Sequence, residues 1–253
     1  MVQLVGILNL TPDSFSDGGQ FNDPAAALAR AAQLFDDGAS LVDIGAESTR
    51  PGATRLTTEV EWQRLMPVLQ QLTERYPEQI SVDTYHPKTA AKALDVGDVI
   101  INDVTGMQDS GMVQLVTERR ARCVISHLPT LTTQAAHTGT LISSVQQVVS
   151  DLLAKAEELQ RHGLPAENII LDPGLGFGKT EELNRKLLRF AEEVPDYKVM
   201  IGYSRKRFLG EKRMELQTNL EAGRIAIEAG AAYLRVHDVA GHRKLLYTGK
   251  HVR

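Results

Sequence analysis

This chain of 253 residues has a single cysteine, no long apolar run and almost no net charge. Cys123 has no partner for an internal disulfide and, inside an apolar run, reads as a buried structural thiol. No apolar stretch reaches the roughly 18 residues of a membrane span. The N-terminus lacks the basic and long apolar regions of a signal peptide, so the expected location is the cytoplasm. Lys and Arg number 28 against 32 Asp and Glu, a net charge of −4. That balance calls for neither nucleic acid nor a membrane surface as partner. The seven histidines show no zinc-ligand spacing and no H-E-x-x-H pair. No Ser-His-Asp or Cys-His arrangement is readable, which argues against covalent nucleophilic catalysis. Linkers, shifts of composition and internal repeats are also lacking, so residues 1–253 are expected to form one domain.

What is present is a rhythm. Eight short apolar runs each end in a polar or ionisable residue followed by turn chemistry. They are Leu4–Asn9, Leu41–Asp43, Ile80–Asp83, Val99–Asn102, Val124–His127, Ile169–Asp172, Val199–Ser204 and Tyr233–His237. Continuous apolar runs mark strands buried on both faces, hence parallel ones, and parallel neighbours need crossover helices. Helical patterns lie between them. Eight such units in about 250 residues predict an α/β fold, a single (β/α)8 TIM barrel. In that fold the carboxyl ends of the strands share one mouth, where the eight polar tips converge.

The first helix is expected over Ala25–Phe35, capped by Asp23 with Pro24 at its first position and Gly38 as stop. Thr57 or Thr58 with Glu61 forms a capping-box pattern before Trp62–Leu72, and Pro67 predicts a kink there. Further helices are expected from Pro87 through Leu94, Asp109–Arg120, Ser143–His162, Glu181–Glu193 and Asn219–Ala229. The eighth, around Leu245 and Leu246, is short. The stretches Thr11–Asn22, Ser48–Thr58 and His127–Thr140 read as long loops on the mouth side.

Asp172-Pro173-Gly174-Leu175-Gly176-Phe177-Gly178-Lys179 is the densest motif. Its glycines let backbone approach a flat ligand, and Phe177 offers an aromatic surface. Gly178-Lys179-Thr180 fails the P-loop pattern, because Pro173 stands where the first glycine belongs. Gly202 to Arg207 follows strand seven, and Arg235-Val236-His237-Asp238 ends strand eight, the two places where this fold recurrently binds phosphate. Arg235 and His237 alternate along a strand and so share its barrel-facing side, where an inward arginine needs an anion from the protein or a ligand. Asp43, Asp83, Asn102 and Asp172 end strands two, three, four and six. A heteroaromatic ring presenting N–H donors wants such acceptors. Each could instead cap a helix, but four in one mouth exceed what capping requires, and Thr84 and Asp103 already stand ready as caps. His127 reads equally as a site residue or a satisfied core histidine. Asn9 could supply one oxygen to Mg2+, with ligand oxygens and water completing the octahedron.

Six segments carry a resemblance. They are Gly6 to Gly19 (GILNLTPDSFSDGG), Asp43 to Gly52 (DIGAESTRPG), Ser81 to Thr84, Ile101 to Val104, Asp172 to Lys179, and Ser204-Arg205-Lys206 with Arg235 to Asp238. Together they resemble the dihydropteroate synthases, a family of pterin-binding barrel enzymes, in family order over nearly the whole chain. The resemblance implies condensation of 6-hydroxymethyl-7,8-dihydropterin diphosphate with p-aminobenzoate, giving dihydropteroate and pyrophosphate in folate biosynthesis. It implies that Asp83, Asn102, Asp172 and Lys206 hold the pterin, with Asp43 deeper in support. Asn9 would touch Mg2+ on the diphosphate. Arg235 and His237 would take the anion, joined by Thr49 and Arg50 when their loop closes. Phe177 and Ser204, with Pro51 and beside Gly202, would border the aminobenzoate. Sensitivity to sulfonamides and a homodimer formed through late helices are further implications.

Several positions depart from the family pattern. Leu128-Pro129-Thr130 replaces Met-Gln-Gly, Met107 stands where a second glycine often follows Gly106, and Arg207 replaces a small residue near the expected aminobenzoate carboxylate. The changes motivate an alternative, a pterin-binding paralogue without synthase activity. A pterin-dependent methyltransferase on the same barrel ranks last, since it needs neither Ser204-Arg205-Lys206 nor the Arg235 and His237 pair.

Overall fold

The computed structural model describes residues 2–11, 24–48, 54–130, 132, 136 and 142–248. Eight parallel strands close into a barrel in sequence order, β1 pairing with β8. They are β1 (Gln3–Asn9), β2 (Leu41–Gly45), β3 (Ile80–Asp83), β4 (Ile100–Asp103), β5 (Cys123–Ser126), β6 (Ile169–Asp172), β7 (Lys198–Ile201) and β8 (Tyr233–Val236). Each contains or adjoins one of the eight apolar runs, as the pattern predicts.

The outer helices among the described residues are α1 (Pro24–Asp36), α2 (Thr58–Arg75), α3 (Pro87–Val96), α4 (Ser110–Glu118), α5 (Val145–Arg161), α6 (Glu181–Lys186), α7 (Leu216–Glu228), α8 (Val239–His242) and α9 (Leu245–Thr248). Side-chain oxygens cap five of them: Thr57 accepts from Val60 N, Asp109 from Gly111 N, Ser144 from Gln147 N, Thr180 from Leu183 N and Asp238 from Gly241 N. Each satisfies a backbone donor that has no intrahelical acceptor. The expected Asp23 cap lies outside the described residues, as do most of the Thr11–Asn22 and His127–Thr140 loops and part of Ser48–Thr58.

Two expectations are corrected. Helix α2 runs on through Pro67 to Arg75. Burial of Leu65, Val68, Leu69 and Leu72 against the barrel holds it there despite the lost backbone bond. The predicted Glu181–Glu193 helix passes at Leu187 into a 3-10 segment, Leu187–Glu192, with Arg189 off helical values. Four of that segment's six residues are buried, more than one face of a short α-helix would carry.

Two apolar clusters result. The larger lies between strands and helices, and the smaller fills the barrel with Val5, Leu41, Ile100, Val124, Ile170 and Met200, against Tyr233. The smaller cluster places the site. Side chains on one face of a strand recur every second residue. Two residues beyond Leu41, Ile100, Ile170, Met200 and Tyr233 therefore stand Asp43, Asn102, Asp172, Gly202 and Arg235, one layer nearer the mouth. The β2–β3 register, which pairs Asp43 with Ser81, puts Asp83 on the same inward face.

Candidate active site

The polar layer is centred on Arg235, whose side chain is only 21% exposed. Its Nε donates to Asp43 Oδ2 at 2.6 Å and its Nη2 to Asp83 Oδ2 at 2.8 Å. Asn102 Nδ2 donates to the same Asp43 oxygen at 3.1 Å, so the end of Asn102 turned away from Asp43 is an acceptor. Burial would lower the Arg235 pKa, but the two carboxylates outweigh it and hold the guanidinium charged. The anion that an inward arginine requires is thus supplied by the protein itself. Burial likewise pushes the Asp83 carboxyl up to about 7, against the pull of Arg235.

Asp172, the last residue of β6, accepts from Gly174 N through Oδ1 at 2.7 Å. Burial raises its carboxyl, and the Lys206 ammonium opposes that rise. Lys206 Nζ donates to Leu175 O at 2.6 Å and sits 5.2 Å from the centre of the Phe177 ring. Burial brings the Lys206 amine down to about 8, with Asp172 pulling the other way. Arg205, just before it, has φ 62°, and its N–H bonds to Asn219 Oδ1 at 2.9 Å. Asn219 therefore helps to fix the turn that aims Lys206. Sequence reasoning missed it, because a polar residue on a helix face carries no local sign of a partner 14 residues away.

Gly202 forms floor between these groups. A Cβ there would stand 3.6 Å from Asp172 Oδ2 and 3.9 Å from Arg235 Cβ. A side chain would fill the gap; glycine leaves it for a ligand. Ser204 and His237 join at the rim, where Ser204 Oγ lies 3.0 Å from His237 Nδ1 and accepts from His237 N at 3.3 Å. Asn9 is half-buried at the carboxyl end of β1. Thr49, Arg50 and Pro51 lie outside the described residues.

The glycine-rich loop has an internal anchor. Lys179 Nζ, almost fully buried, donates to His127 O, Gly174 O and Phe177 O at 3.1, 2.9 and 3.0 Å. Burial lowers its amine to about 7. At Gly174, φ is 62° and a Cβ would come within 2.1 Å of His127 O, so only glycine fits. The lysine of this motif closes the loop on itself and faces no phosphate. His127 is buried as the core reading expects, although its Nδ1 has no hydrogen-bond partner among the described residues. It is 4% exposed, its Nε2 lies 3.1 Å from Asp151 Oδ2, and burial brings its pKa down to about 4.

The departures also find places. Pro129 packs on Gly178, where a Cβ would approach Pro129 Cγ to 2.5 Å, so proline and glycine complement each other. Met107 adopts φ 59°, the conformation glycine favours, and is held there by Asp103 Oδ2 accepting its N–H at 3.2 Å. Asp103 also takes Thr105 N and Oγ1, bracing the turn after β4, while the cap of the following helix is Asp109 and not Asp103 as expected. Arg207 is exposed at the start of a 3-10 turn, Arg207–Leu209.

Of the predicted residues, Asp43, Asp83, Asn102, Asp172, Gly202, Lys206 and Arg235 meet in one polar layer at the carboxyl ends of the strands, with Phe177, Ser204 and His237 beside it. The family model for pterin binding enzymes matches residues 5–237. The dihydropteroate synthase of Clostridium beijerinckii is 35% identical over 246 residues, 93% of this chain and 88% of that protein. Among solved structures, the Xanthomonas albilineans dihydropteroate synthase with 4-aminobenzoic acid superposes with a TM-score of 0.88 at 35% identity, covering 98% of this chain and 91% of that one. The enzyme of Anaplasma phagocytophilum with bound 6-hydroxymethylpterin-monophosphate gives a TM-score of 0.84 at 30% identity, covering 96% of each. This chain belongs to the pterin-binding family of dihydropteroate synthases.

Proposed function

We propose that the protein is a dihydropteroate synthase, condensing 6-hydroxymethyl-7,8-dihydropterin diphosphate with p-aminobenzoate. The observation that carries this reading is the inward polar layer. Acceptors on Asp83, Asn102 and Asp172 face a gap floored by Gly202, with a lysine and an arginine as its cations. Solved relatives with 4-aminobenzoic acid and with a hydroxymethylpterin phosphate support both substrates. Identity over nearly the full length disfavours the paralogue alternative. So does the fit of Pro129 against Gly178.

In the reaction the pterin methylene carbon loses its bond to diphosphate oxygen, gains one to the aniline nitrogen, and the amine loses a proton. The electron-rich ring stabilises positive charge on the methylene as the leaving group departs. Asp172 offsets that charge. Asp83 and Asn102 accept the ring's N–H groups, and Lys206 lies along its edge. His237, held by Ser204 at the rim between the two substrates, receives the departing diphosphate, with Thr49 and Arg50 on its far side. Arg235, already paired with Asp43 and Asp83, adds its field to the leaving group. Phe177 and Pro51 border the aminobenzoate. Positioning and fixed charge then supply the catalysis, and no covalent enzyme intermediate is required.

Mg2+ takes few protein ligands and completes its shell with phosphate oxygens and water, and the neutral amide oxygen of Asn9 at the mouth suits that chemistry. Bound there, the ion would neutralise diphosphate charge. No helix of the described residues is long and apolar enough to cross a membrane. We place the enzyme in the cytoplasm, sensitive to sulfonamides that mimic aminobenzoate. We place it also in a homodimer, with Met214 (64% exposed) and Leu216 (38%) offering apolar surface where α7 begins.

The test is pyrophosphate release from the pterin diphosphate in Mg2+, with aminobenzoate omitted as control. Release that depends on aminobenzoate is the expected result. Tight pterin binding without release at any aminobenzoate concentration would select the paralogue.

A further inference from the structure

Beside the polar layer, the turns after β2 and β3 meet the first turn of α2. Glu47 stands two residues beyond β2, His86 caps α3, and Glu61 lies one turn into α2. One donor atom from each residue lies within 4.8 Å of the other two. His86 Nε2 is 3.2 Å from Glu47 Oε2. Glu61 is fully buried, and neither of its oxygens has a hydrogen-bond partner, although the hydroxyls of Thr84 and Thr89 lie beside it. A buried carboxylate without partners is costly, and a proton or a cation must answer for it. With both carboxylates ionised the trio is one charge negative even when the imidazole is charged, and Arg55, 5.0 Å from the centre of the Tyr85 ring, is a neighbouring cation.

We propose that Glu47, Glu61 and His86 bind one divalent transition-metal ion of the zinc class. One imidazole and two carboxylates suit zinc, whereas Mg2+ prefers oxygen donors and water. The 3.2 Å separation of His86 and Glu47 is close to a tetrahedral edge, on the order of 3.4 Å for donors about 2.0–2.2 Å from zinc. A turn of the Glu61 side chain brings in the third donor, and water takes the fourth position.

The surroundings hold the ligands in place. Tyr85 OH donates to Glu47 Oε1, and Oε2 keeps one lone pair for the ion beside the one that accepts from Leu56 N. Such outer hydrogen bonds are how metal-binding carboxylates are oriented. The ion replaces the proton that His86 Nε2 shares with Glu47, together with any proton on Glu61, and these pass to solvent. Leu56 N also donates to Glu47 Oε2, at 3.2 Å across the base of the segment carrying Thr49, Arg50 and Pro51. The site therefore lies where the turn after β2 meets Leu56 and the start of α2, in a place separate from Asn9 and independent of whether the synthase reaction occurs.

The test uses the full chain, stripped with a chelator and titrated with Co2+ without substrates. One equivalent should bind, with the visible absorption of a four-coordinate ion, proton release, and displacement by Zn2+. His86→Lys keeps a cation beside Glu47 but removes a ligand, and should weaken Co2+ binding about 100-fold or more, leaving circular dichroism unchanged. Glu61→Gln keeps the shape and should weaken binding likewise, so either folded variant decides the matter. Undiminished binding in a folded variant would overturn the site. So would the absence of a one-to-one absorption in the parent protein.

Discussion

Arg235 reaches 192 residues back along the chain to donate its Nε to Asp43 at 2.6 Å. The pair joins the last strand to the second across the inside of the barrel, and Asp43 itself is 1% exposed. Removing one member of a buried pair strands the other. Asp43→Ala should therefore cost about 3–5 kcal/mol of stability, seen as a lower urea midpoint with unchanged slope. A midpoint equal to that of the parent would contradict the pairing.

Asp83 and Lys206 set the pH dependence. With Asp83 pushed up to about 7 and Lys206 down to about 8, the charged forms of both coexist only near neutrality. As pH falls through about 7, Asp83 takes a proton and loses acceptor strength toward the ring, so pterin affinity drops. As pH rises through about 8, Lys206 loses its charge. A narrow bell in kcat/KM is expected, and Asp83→Asn should remove its acid limb. For folding the sign is different. A carboxyl raised from 3.8 favours the native state fully below that value, and the contribution fades as pH climbs through 7. A kcat/KM profile flat from pH 6 to 9 would count against both assignments.

Gly202 separates Asp172 from Arg235 with nothing but backbone. Gly202→Val would push two methyl groups into that space. Pterin affinity should fall at least tenfold, about 1.4 kcal/mol, while the thermal midpoint changes little. Calorimetry on both proteins makes the comparison, and equal affinity would show that the ring lies elsewhere.

Lys179 holds three carbonyls of the glycine-rich loop from inside. Lys179→Met keeps the stem and removes every donor, leaving buried acceptors unsatisfied. A loss of about 2–4 kcal/mol is expected. Activity should fall with it, because Leu175 O and the Phe177 ring, both in contact with Lys206, belong to that loop. Full stability in the variant would mean that the ammonium is dispensable.

Much of this was legible along the chain. Parallel strands buried on both faces leave continuous apolar runs, and these marked all eight strands to within a few residues. Caps such as Thr57, Asp109 and Ser144 act over three residues, so they too can be read locally. The helix expected to end at Leu72 runs on to Arg75, because its buried face offsets the hydrogen bond that Pro67 removes. The failed P-loop pattern ruled out a nucleotide role for Lys179, but not where its ammonium points, since a lysine after glycines looks alike whether it turns outward or in.

Residue order alone dictated which side chains face into the barrel. Two-residue periodicity and the apolar layer beneath left Asp43, Asn102, Asp172 and Arg235 no other direction. Which of them would pair with one another depended on barrel closure. Strand stagger brings Arg235 of the last strand level with Asp43 and Asp83, and sets the unpartnered Glu61 beside Glu47 and His86. Distances of a few ångströms between residues far apart in sequence exist only once the sheet has closed, because hydrogen-bonded register, not composition, aligns one strand against the next.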